Sequence, residues 1–86
     1  MKQVPADELM IELEASMREH VGPVGRLVLR KKWRDLSMSS DAVDDAKAVI
    51  LIRELESALQ IIMGDDGASR AAARLREKML DHGLDI

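Results

Sequence analysis

The chain has no cysteine, no phenylalanine and no tyrosine, and it holds a single aromatic residue, Trp33, in 86 positions. Without thiols there is no disulfide framework, no thiolate zinc site, no iron–sulfur cluster and no Cys nucleophile. Missing aromatics and abundant Leu, Met, Ala, Glu and Arg favour helices over strands. Proline occurs twice and glycine five times, at punctuation points between periodic segments. Neither sign of charge dominates, with 13 basic and 16 acidic side chains, so no global field recruits nucleic acid or an anionic membrane. The longest apolar run, Ala48 to Ile52, is too short to span a bilayer, and MKQVPADELM has no signal-peptide core. The expected location is therefore cytoplasmic. Hydrophobic residues at 47% and charged residues at 34% describe a globular chain, not a disordered one. The length suits one domain covering residues 1–86.

Hydrophobic periodicity places four helical segments. The first spans about Pro5 to His20, with Asp7 and Glu8 in its first turn, where the helix dipole favours anions. Leu9, Met10, Leu13, Met17, His20 and Val21 share one arc of it. Gly22-Pro23 breaks the chain, because proline lacks a donor and restricts the residue before it. A second helix follows from Pro23 to about Leu36, with Leu29, Trp33 and Leu36 as its apolar stripe. Ser37-Met38-Ser39-Ser40 is a connector whose serines can cap the next helix. The third helix, about Asp41 to Met63, carries a seam of Ala48, Ile52, Leu55, Leu59 and Ile62 at alternating spacings of four and three. Val43, Ile50 and Ile61 fall on its opposite side. Gly64-Asp65-Asp66-Gly67 reads as a helix–helix turn with Gly64 at a left-handed position. A fourth helix, about Gly67 to Asp81, presents Ala68, Ala71, Ala72, Leu75, Met79 and His82, and Leu84-Asp85-Ile86 forms a tail expected to fray. The expected architecture is all-α, a small bundle of three to four helices completed by homo-oligomerisation.

Reactive constellations are absent. His20 and His82 stand near helix ends, where they suit free carbonyls, and neither belongs to a metal-ligating helical spacing. The serines cluster in a connector with no base beside them, and no phosphate-cradling glycine loop occurs. Asp65-Asp66-Gly67 lacks calcium-loop spacing. With no reactive constellation, an enzyme is the least favoured reading, and no cofactor is expected.

The most distinctive local feature is basic. Arg26, Arg30 and Arg34 align at steps of four, with Lys31 and Lys32 beside them and only Asp35 opposing. Three readings fit such a stripe: a solvated face paired with acidic neighbours, a dock for an acidic protein surface or phosphate group, or a nucleic-acid contact by a small regulator using residues 22–36. The third is disfavoured by the acidic balance and by the lack of stacking aromatics and of base-reading Asn or Gln on that helix. Trp33, within the same segment, serves either as core or as an interface anchor.

The second face of the third helix points to self-association. Three shorter helices cover one side of a long helix but not both, and an apolar strip left over is most simply buried by two-fold pairing. The expected homodimer interface draws on Val43, Ile50, Ile61, Ile52, Leu55 and Leu59. Partner-binding candidates are Arg26, Arg30, Lys31, Arg34 and Trp33.

The segment His20-Val21-Gly22-Pro23-Val24-Gly25-Arg26-Leu27-Val28-Leu29-Arg30-Lys31 resembles a helical module at the C-terminal ends of some bacterial signalling proteins, serine/threonine kinases among them. In that module an amphipathic helix enters a Gly-Pro-aliphatic-Ala element and then an aliphatic-Val-x-Arg stretch. The resemblance covers about residues 9–34, with Gly25 where alanine is usual. It implies an accessory interaction domain in bacterial signalling with no catalytic activity of its own.

Overall fold

The computed structural model describes residues 3–36, 38 and 42–86. It is mostly helical: β1 (Gln3–Pro5), α1 (Ala6–His20), α2 (Pro23–Asp35), β2 (Ala42–Asp44) and α3 (Asp45–Asp81). A straight helix of 37 residues would reach roughly 55 Å. The molecule measures only 33 × 21 × 19 Å, so α3 must fold back on itself. It does so at Gly64, whose φ of 78° and ψ of 173° interrupt the helix and separate an arm of residues 45–63 from an arm of residues 65–81. Positive φ is as the sequence suggests, but the extended ψ places Gly64 outside the left-handed helical basin, in a region open essentially to glycine alone. The turn is correspondingly abrupt. A single residue joins two helical arms where a loop of four was expected.

Both arms carry the apolar faces read from periodicity. Ala48, Leu51, Ile52, Leu55 and Leu59 of the first arm are buried with Ala68, Ala71, Ala72, Leu75 and Met79 of the second. The small residues of the returning arm permit close approach of the two helices. Leu9, Leu13 and Met17 of α1 and Leu29 and Trp33 of α2 complete one continuous core. The chain therefore builds a four-helix core from three helical elements.

Several expectations need correction. Val43, placed on a helix face, lies instead in β2, where it pairs with Val4 in a short antiparallel ladder and is fully buried. Ile52, Leu55 and Leu59 are buried inside the single chain, so they cannot form a dimer interface in this fold. Ile62 leaves the expected seam and is half exposed, while Leu51 takes its place in the core. α3 starts at Asp45, after an N-cap in which the Asp44 carboxylate accepts from the Lys47 amide at 2.8 Å. The capping role expected of Ser37, Ser39 and Ser40, and the helix start expected at Asp41, lie outside the described residues. The terminal tail is anchored: Leu84 is buried, and the Asp85 amide donates to the Asp45 carboxylate at 2.9 Å. That bond joins the end of the second arm to the beginning of the first and closes the hairpin.

The link between α1 and α2 is equally tight. The amides of Val21 and Gly22 both donate to the Met17 carbonyl, at 2.8 and 3.0 Å, which ends α1 before Pro23 opens α2. Gly25 then sits directly against that end. A Cβ on it would come within 2.7 Å of the Val21 Cβ and 3.2 Å of the Met17 carbonyl oxygen. This close approach accounts for glycine, rather than a residue with a side chain, at position 25.

Candidate interaction surface

The outer side of the α1–α2 pair is built by helix phase. Burying Gly25, Leu29 and Trp33 turns the opposite side of α2 to solvent, and that side begins with Pro23, Val24 and Leu27 and continues with Arg30, Lys31 and Arg34. Trp33 is only 8% exposed, so it is a core residue and not a free anchor, which corrects its place among the partner-binding candidates. Leu27, in contrast, is 67% exposed although it lies in the middle of a helix. It forms an open groove of about 400 Å³ with Arg18, Pro23 and Arg26.

The cations around this groove outnumber the carboxylates that can balance them. Glu14 of α1 serves two guanidinium groups: its Oε1 accepts from the Arg30 Nε at 2.8 Å and lies 3.8 Å from the Arg26 Nε. The hydrogen bond from Arg30 holds the Glu14 carboxyl below the usual carboxylate range; burial opposes it, and the positive charges of Arg30, Arg26 and Arg18 reinforce it. Lys31 meets Asp35 one turn along at 3.2 Å, with both groups largely in water. Arg34 and Arg18 have no ion-pair partner among the described residues. Lys32 points away from this face and reaches Glu54 on the first arm of α3 at 3.3 Å.

The solvated-face reading is therefore correct for Lys32 and for part of the stripe, but an excess of positive charge remains beside an exposed leucine. Such a surface can bind an elongated acidic segment, with the carboxylates of the ligand meeting Arg26, Arg30 and Arg34 and one large apolar side chain covering Leu27. Sequence reasoning found the arginine register. Leu27, which lies outside the Leu29, Trp33 and Leu36 stripe, was not singled out, nor were Glu14 and Arg18, which come from another helix. The exposed position of Leu27 follows from placing Gly25, Leu29 and Trp33 together on the inner side, a choice that the three-residue glycine-to-tryptophan pattern alone does not force.

Elsewhere the surface holds little chemistry. His20 ends α1 on the exposed side, and His82 lies 3.9 Å from Glu12, next to Lys78 at the same distance from that carboxylate. Among the described residues no cluster of three or more His, Asp or Glu side chains has the geometry to hold a metal ion. No helix among them is long and apolar enough to cross a membrane. Against known protein families, curated proteins and solved structures, the chain has no match.

Proposed function

We propose that this chain is a non-catalytic interaction and assembly module that docks an acidic, amphipathic protein segment on the outer α1–α2 face and pairs with a second copy of itself. The observation that carries the first part is Leu27, two-thirds exposed on α2 beside Arg18 and Arg26, with exposed Arg30, Lys31 and Arg34 further along the same helix. An isolated exposed leucine is ordinary on a protein surface. One set among cations in unequal balance with carboxylates matches the two halves of an acidic amphipathic ligand. The likeness of His20 to Lys31 to a signalling-protein module supports a place in bacterial, cytoplasmic signalling. Exposed Ile50 and Ile61 support self-association.

The same cations also suit a small DNA-binding regulator using residues 22–36, and salt separates the two readings. Fluorescence anisotropy with an acidic amphipathic helical peptide and with a DNA duplex, each at about 50 and 200 mM salt, is the test. Peptide binding is expected to be stronger than duplex binding and to fall about tenfold or more in an Arg26→Gln/Arg30→Gln/Arg34→Gln variant. The helical content and melting temperature of that variant should hardly change, because the pairs it removes are exposed. Leu27→Ser should weaken the peptide complex while sparing any purely electrostatic binding. Tight, steeply salt-dependent binding to the duplex, with none to the peptide, would establish the regulator instead. Marked unfolding of the triple variant would make the stripe a structural network.

A further inference from the structure

The self-association just proposed leaves its geometry open, and the first arm of α3 specifies one. Ile50 is 45% exposed and Ile61 is 89% exposed. They stand eleven residues apart, about three helical turns, so they share one azimuth and lie roughly 16 Å from each other along the arm. Between them on the same side are Arg53, Glu54 and Ser57, all exposed. We infer that this strip is a two-fold, antiparallel interface in which Ile50 of each copy packs against Ile61 of the other.

The pattern is complementary to its own reverse. When Ile50 is set opposite Ile61 in an antiparallel pair, Glu54 falls opposite Ser57, and both relations occur twice by symmetry. The charges agree with that register. Arg53, which has no ion-pair partner among the described residues, comes one turn from Glu54 of the second copy. A parallel pairing would instead oppose Arg53 to Arg53 and Lys47 to Lys47. The strip is separate from the Leu27 groove, so a dimer of this kind keeps both docking faces free. One helix pair is a small contact, at the lower end of specific interfaces, and the dimer should form in the micromolar range.

Because the chain contains no cysteine, the register can be read directly by cross-linking. Glu54→Cys and Ser57→Cys variants of the full chain, mixed under mild oxidation, should give the mixed 54–57 disulfide in clear preference to either homodisulfide. Ile61→Glu, a change at a site almost fully in water, should weaken dimerisation in sedimentation by about tenfold or more and leave the thermal melt unchanged. A dimer in sedimentation whose homodisulfides predominate, or which survives Ile61→Glu intact, would overturn the antiparallel pairing while leaving self-association standing. A wild-type chain that remains monomeric at high micromolar concentration would overturn both.

Discussion

Trp33→Ala is expected to cost about 3–5 kcal/mol, a large part of the roughly 5–15 kcal/mol that holds a small domain together. α2 enters the core with few side chains: Gly25, Leu29 and Trp33 are its buried residues, and glycine contributes no volume. Removing the indole leaves Leu29 as the principal anchor of the helix and opens a cavity that aliphatic neighbours cannot collapse to fill. For a chain of this size the melting temperature should fall by about 15–30 °C, followed by far-UV circular dichroism. Leu27→Ser, six residues earlier on the same helix, is the contrast. It should change stability by no more than about 0.5 kcal/mol, since that side chain already lies mostly in water. A Trp33→Ala variant that melts within a few degrees of the parent would mean that α2 is not held by its inner face.

Gly64→Ala is expected to cost about 1–3 kcal/mol for a different reason. No heavy atom would crowd the added methyl group, so sterics with neighbouring elements play no part. The cost is conformational: φ of 78° with ψ of 173° is costly for an L-residue with a Cβ. The fold cannot release that strain by a small shift, because the contact between Asp85 and Asp45 and the shared core of the two arms fix where the second arm must lie. Alanine also favours continuation of the helix through the turn, which would straighten α3 and push the second arm out of its own core. The variant should therefore show a lower melting temperature and, by size exclusion, a more extended species formed by exchange of the second arm between chains. An unchanged melt with a compact elution volume would show that the turn is not set by this residue.

How much of this architecture can be read in the residues depends on the range of the interaction. Helix content, the Gly22-Pro23 break and the burial of Ala68, Ala71, Ala72, Leu75 and Met79 all follow from local chemistry and period, and they are found in the structure. The strands do not announce themselves. Three residues are too few to show alternation, and Val4 meets Val43 across 39 positions, so Val43 looked like part of a helix. Leu51 and Ile62 show a second limit. They point in nearly the same direction around the arm, but Ile62 belongs to the last turn before Gly64, at the end of the bundle, and direction alone does not reveal position along the axis. The arginine register of the candidate surface is local and was legible. Its partner carboxylate, Glu14, is sixteen positions from Arg30 and belongs to α1, so the unequal sharing of one acid by two guanidinium groups appears only after the helices have packed.

The central claim, that the outer α1–α2 face is the docking surface, is tested most directly by mapping where an acidic amphipathic peptide touches the chain. Backbone amide chemical shifts followed by NMR during the titration supply that map. Perturbations should concentrate on residues 14–18 and 23–34, around Leu27, and should largely disappear in the Arg26→Gln/Arg30→Gln/Arg34→Gln variant. Perturbations centred on the second arm of α3, or a titration that leaves residues 23–34 unmoved, would contradict it.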